Sequence, residues 1–320
     1  MKKSKKTWLI VAAVFVAVGI AAVAFALIAS GGTLGDRYAK YEDAEYEVID
    51  DFDNISILTT TDDIEFVRTE DGNCKVVCRE REGVDHSVKV KDGTLTIESS
   101  DTRKWYEQLT LFSFGSPSIT VYLPRAEYAS LIIDERTGDI LIPDRFVFKN
   151  IGISATTGDV NCHASASGQI KIALTTGGVG VKGIFSESLD VSVSTGVVVI
   201  EHATCDGSVT VGVSTGITRL GDITCKNLTS TGSTGSMVMK NVVAEKISVE
   251  RSTGDVKFDA CDAGEIYAKT TTGDITGTLL SEKIFIAKTS TGSVDVPPSA
   301  VGGRCELTTK TGDIKISVAP

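Results

Sequence analysis

Along most of the chain apolar and polar residues alternate, and the alternation is interrupted at regular intervals by one phrase, Thr-Gly. Glycines 138, 158, 177, 196, 216, 235, 254, 273, 292 and 312 lie 19 or 20 residues apart. A Thr precedes each of them, from Thr137 to Thr311, and Ser or Thr precedes that Thr in eight of the ten copies. Two residues after Gly come Ile140, Val160, Val179, Val198, Met237, Val256, Ile275, Val294 and Ile314, with Thr218 the exception. Four after Gly come Ile142, Cys162, Val181, Ile200, Leu220, Met239, Phe258, Val296 and Ile316, with Gly277 the exception. Apolar pairs also precede the corner, as at Ile170/Ile172, Leu189/Val191 and Val209/Val211. Period-2 patterning on both sides of a fixed Gly predicts strand, corner, strand, and then a return segment of small apolar residues such as Ala203 and Cys261.

One such unit cannot bury its own apolar face, so the units must stack. Parallel coils about 4.8 Å apart would make of ten units a rod roughly 50 Å long. The expected fold is therefore all-β: a parallel β-helix (solenoid) of about ten 19–20-residue coils spanning 131–320, right-handed by the crossover preference. Gly suits a corner at positive φ, and hydroxyls stacked before it can bond the backbone at the bend.

Before the repeats the pattern changes. Lys2, Lys3, Lys5 and Lys6 precede an uncharged run of 22 residues, Trp8 to Ala29. As a helix this run is about 33 Å long, enough to cross a bilayer. Residues 8–30 are therefore expected to form a transmembrane signal-anchor, with 1–7 as a cytoplasmic tail and everything after the span outside the cell membrane. A cleaved signal peptide is the alternative, which the length of the run disfavours. Residues 31–44 read as a stalk. With the four tail lysines set aside, 28 basic residues face 42 acidic ones. That balance excludes nucleic acid as a partner and disfavours anionic lipid.

Residues 45–130 are also β-rich but lack the Thr-Gly corner, and are expected to form an N-terminal β cap or irregular first coils. Val88 and Val90 face Leu95 and Ile97 across Asp92-Gly93, a hairpin signal. Thr60-Thr61-Asp62-Asp63-Ile64 looks like a worn repeat, with Asp62 where Gly would stand. The strand Ile119-Thr120-Val121-Tyr122-Leu123-Pro124 leads into the first full coil. Together with the lysine-flanked anchor and the Ser-Thr-Gly-Asp-Val/Ile units, this resembles the bacterial "putative adhesin" family of unknown function, which has β-strand repeats and is related to toast-rack envelope domains. The resemblance covers roughly 45–320. It implies a β-helix on the outer side of the membrane and brings no catalytic residues to transfer.

The residues with chemistry are few. Asp139, Asp159, Asp255, Asp274 and Asp313 follow the corner Gly. A calcium ladder is one reading, but Val197, Ile217, Ser236 and Ser293 interrupt it, and turn chemistry explains the acids better. Cys205 and Cys225 fall at the same place on adjacent coils, within reach of a disulfide; buried free thiols are the other reading. His163 follows Cys162, and neighbours on a strand face opposite ways. Asp101–Ser118 gathers Trp105, Tyr106, Leu109, Leu111, Phe112 and Phe114 as either a lid on the rod or a binding patch.

The repeats vary in length by one residue and so leave no side loops with which to assemble acids around a cleft. The expected function is a non-enzymatic, membrane-anchored module that binds a protein or cell-envelope component, adhesin-like or as an envelope-stress scaffold. A carbohydrate-active enzyme on a β-helix is the alternative. No catalytic, cofactor or metal residue is assigned.

Overall fold

The computed structural model describes residues 41–70, 72–102 and 116–319, together with Phe15, Val16 and Gly19. The expected span 8–30 and the aromatic stretch 103–115 otherwise lie outside the described residues. No helix among the described residues is long and apolar enough to cross a membrane.

Residues 41–70, 72–102 and 116–319 form an all-β solenoid. The coil around Gly196 shows how the sequence builds it. Leu189, Val191 and Val193 point inward before the corner, and Val198 and Ile200 point inward after it. His202 then turns the chain in the left-handed region (φ 53°), and Ala203 and Cys205 point inward along a third, shorter stretch. The next coil repeats the arrangement in register, with Leu189 beside Val209, Val198 beside Thr218 and Ala203 beside Ile223. The return segment is thus a strand in its own right, and each coil has three sides around a narrow aliphatic core. The ten corner glycines enclose about nine turns, against ten or so expected, because corners mark the joints between turns.

The corner needs Gly for two reasons. At Gly216 φ is 145°, which side chains rarely adopt. A Cβ there would also collide with the Gly196 carbonyl oxygen of the coil below. The acids after Gly bond across the stack: Asp139 Oδ1 accepts from Asp159 N–H at 2.7 Å, and Asp159 Oδ1 from Gly178 N–H at 2.6 Å. Asp255 and Asp274 repeat this with the N–H of Asp274 (2.9 Å) and Asp313 (2.8 Å). These carboxylates stand in for the ladder bond that the backbone loses at the bend. Where Val197 and Ile217 replace Asp, the backbone ladder runs on through the corner within Ser188–Cys205 and Ser208–Thr234.

The coils do not stack in chain order at either end. Lys283–Thr291 pairs with Gly303–Thr311, which in turn pairs with Val256–Lys269. The coil of Gly312 therefore lies between those of Gly273 and Gly292. Gly302 and Gly303 let the returning chain in, since a Cβ on them would strike the carbonyl oxygens of Glu282 and Gly264. The Pro297–Gly303 stretch thus serves as a re-entry into the stack. At the other end Asn54–Thr59 lies between Thr94–Asp101 and Glu127–Thr137, all parallel. Asp63–Arg68 likewise lies between Ser118–Leu123 and Ile140–Ile142.

Beyond these layers the pairing becomes antiparallel. Val84–Lys91 folds onto Thr94–Asp101 through the Asp92-Gly93 turn, with Val88 opposite Ile97 and Val90 opposite Leu95 as expected. Cys74–Arg81 pairs with Ser118–Leu123 on one side and Tyr41–Val48 on the other. The core here is aromatic: Phe52 stacks on Tyr128, and Tyr128 on Phe148.

Candidate functional site

A groove of about 650 Å³ runs along the solenoid just ahead of the Thr-Gly corners. Its walls come from the same columns in successive coils, so small hydroxyl residues recur: Ser154, Ser192, Ser194, Ser214, Ser233 and Ser252. Gly212 stands in the outward column, where a Cβ would find only Thr231 Oγ1, at 3.8 Å. Acid and base enter at one end through Glu250 and Lys269.

The inward column three residues before each corner Gly holds Ala155, Leu174, Val193 and Val213, then Gly232 and Arg251. Arg251 is 5% exposed. Its guanidinium fills the space that a side chain on Gly232 would take, because a Cβ there would collide with Nη1 and with the Val213 carbonyl oxygen. Nη2 donates to Ser230 Oγ at 2.9 Å and to Thr218 Oγ1 at 3.1 Å. Nη1 is buried without a hydrogen-bond partner. Among the described residues no carboxylate pairs with this guanidinium, and burial holds its pKa below the ordinary value. Thr218 stood out in the sequence as the one polar residue at its position, and the reason is now plain. Ser230, Gly232 and Arg251 were missed; reading the column three before Gly down the coils would have found them.

A second buried polar cluster lies near the N-terminal end. Asp62 stacks on Gly138, as the worn repeat suggested, but its side chain is fully buried. His86 joins it, with Nε2 3.1 Å from Asp62 Oδ1 and Nδ1 3.2 Å from Glu80 Oε1. Tyr46 donates its hydroxyl to Glu80 and to the His86 carbonyl. Glu135 Oε1 accepts from Asp62 N–H at 3.0 Å, while Glu135 Oε2 and Asp62 Oδ2 have no partner. Burial pushes the Glu135 carboxyl up to about 8, opposed by the bond from Asp62 N–H and reinforced by the charges of Asp62 and Asp63. For His86 burial opposes charge, yet the bonds to Asp62 and Glu80 outweigh it and raise the pKa. Asp62 and Glu135 are sealed from solvent and Glu80 is partly exposed; together with His86 they tie the hairpins to the first coils.

The remaining sequence candidates are scattered. All seven cysteines are free and buried. Cys205 Sγ lies 3.2 Å from Ser186 Oγ, and burial pushes the Cys225 thiol up to about 12, far from a reactive thiolate. Cys162 is fully buried and His163 faces the other way. His202 pairs with Asp222 at 3.3 Å on the surface.

No curated protein matches the sequence. Among solved structures, a "putative adhesin" from Bacteroides fragilis shares 16% identity over 88% of this chain and 97% of its own, with a TM-score of 0.36. One from Parabacteroides distasonis shares 15% over 88% and 98%, with a TM-score of 0.46. A "putative lipid binding protein" from the same species shares 14% over 89% and 98%, with a TM-score of 0.34. The family model described as Toastrack DUF4097 matches residues 52–216 and again 206–320, so the chain belongs to the Toastrack DUF4097 family.

Proposed function

We propose that this protein is a non-catalytic binding module, anchored in the cell membrane by residues 8–30 and held on the outer side, that engages a cell-envelope component along its axial groove. The observation that carries the reading is the groove itself, whose hydroxyl-lined columns repeat from coil to coil. A surface with that period suits an extended ligand built from repeated units, such as a cell-envelope polymer. The enzymatic alternative needs two acids facing each other across a cleft, whereas the groove lining holds a single acid, Glu250, and the exposed corner acids Asp139, Asp159, Asp255 and Asp274 are engaged in bonds across the stack. The acidic balance of the chain beyond the tail fits a surface that stays off anionic lipid and nucleic acid.

Two experiments test this. Protease added to intact cells should digest the portion after residue 36; full protection would sink the topology. Ser192→Trp and Ser214→Trp place bulk in the groove at exposed positions. Retention of purified cell-wall material should fall at least fivefold in both, and unchanged retention would rule the groove out.

A further inference from the structure

We propose that the groove contains a site for a single oxyanion, the carboxylate or phosphate group of a hydroxyl-bearing ligand such as an acidic sugar, centred on the Arg251 guanidinium. Four observations converge on it. The cation is nine-tenths buried, lacks a carboxylate partner among the described residues, and has an unpaired Nη1. It lies directly beneath Gly232, which together with Arg251 lines the groove. Gly212, in the outward column of the coil next to that of Gly232, leaves the groove wall without a side chain there, since a Cβ would meet only Thr231 Oγ1 at 3.8 Å. Hydroxyls from Ser214 and Ser233 flank this point on the walls, ready to bond a polyol.

An unpaired charge in a low-dielectric interior is costly, and Arg cannot shed its proton to escape the cost. Thr218 and Ser230 are neutral partners; they satisfy two donor directions and leave the charge in place. An anion over Gly232 would supply the missing counter-charge where water screens it poorly. Nearby Glu250 and the acidic chain as a whole disfavour a polyanion, so the fitting ligand carries one isolated charge. The hydroxyl walls favour a sugar over an apolar acid.

This inference rests on the groove as the ligand surface, and two variants separate the two ideas. Arg251→Met removes the charge and keeps a stem that packs. Gly212→Leu fills the groove and leaves Arg251 untouched. Melting of the whole protein would be followed against sodium glucuronate, inorganic phosphate and, as neutral control, glucose, at matched ionic strength with a weakly binding counter-ion. The expected result is a saturable rise with glucuronate or phosphate, none with glucose, and at least tenfold weaker binding in both variants. The relative rise with the two anions tells carboxylate from phosphate. Loss in Gly212→Leu but not Arg251→Met would overturn the anion site and keep the groove. Loss in Arg251→Met alone would support the site and count against the groove. No saturable rise with either anion in the wild type would overturn the site outright.

Discussion

Glu135 and Arg251 occupy the same inward column, three residues before a corner Gly, in two different regions of the solenoid. Each is an ionisable side chain where most of the rod keeps aliphatic ones, and each is nearly inaccessible to solvent. Their surroundings solve the problem differently. Glu135 sits among acids at the N-terminal end and escapes charge by keeping its proton to about pH 8. Arg251, in the middle of the repeats, keeps its charge and needs room and donors' partners: Gly232 provides the first, Thr218 and Ser230 the second. A third solution appears further on, where Thr270 and Thr309 in this column bond the corner carbonyls of Gly254 and Gly273. A repeat fold thus tolerates polarity inside, provided neighbouring coils carry the compensation.

The comparison breaks most visibly with pH. Glu135 keeps its proton to about pH 8 in the fold and releases it near its ordinary 4.5 when unfolded. Unfolding therefore sheds a proton throughout that window, and stability falls as pH climbs from about 4.5 to about 8. His86 pushes the same way: its contribution is whole below its ordinary pKa and is lost as pH rises through the raised one. Glu135→Gln should stabilise the protein at pH 9 by roughly 3–5 kcal/mol relative to wild type. Melting curves at pH 5 and pH 9 check this, and parallel losses in both proteins would refute it.

Next comes the room beside Arg251. Gly232→Val should cost about 3 kcal/mol through overpacking. The double change Gly232→Val with Arg251→Val should recover only the part owed to the guanidinium, since the Val213 carbonyl oxygen still crowds the new side chain, and urea titrations of the four proteins give the coupling. Additive losses would mean that the two residues do not share a space. Arg251→Met alone should be neutral or stabilising by about 1–2 kcal/mol, because it removes a buried, unpaired charge. A loss above that size would mean that the guanidinium has a better partner. The smallest effect belongs to the exposed corner acids. Asp159→Ala removes the acceptor for Gly178 N–H and should cost about 0.5–1.5 kcal/mol. Thermal melts resolve it, and a cost of several kcal/mol would point to a role beyond one cross-coil bond.

Much of this architecture was legible in the residues. Thr-Gly spacing and the period-2 columns identified corners, inward positions and stacking, because each coil has to repeat what its neighbour presents. The order of the end coils was not legible. Coils built to one pattern offer interchangeable edges, so pattern alone cannot say whether the coil of Gly292 or that of Gly312 follows Gly273. The Gly302-Gly303 pair held the clue, since two adjacent glycines past a Pro-Pro break mark close backbone passage. The groove chemistry was half legible: Thr218 broke a column, but Arg251 stands out only when the column three before Gly is followed down the coils.

The interleaved ends bear on how such a chain changes length. In a simple solenoid the last repeat is the cheapest to add or delete, since it has one neighbour. Here the final segment, Gly303–Val318, is a middle layer with coils on both sides. Losing it strands Lys283–Thr291 without the strand it pairs to, so shortening from the terminus removes two layers for one. The same holds for Asn54–Arg68 at the opposite end. Units between Gly177 and Gly254 follow one another in order and touch neither terminus. A coil inserted or removed in this interior leaves its neighbours' pairing order intact, whereas at the interleaved coils the same change breaks the pairing of two layers.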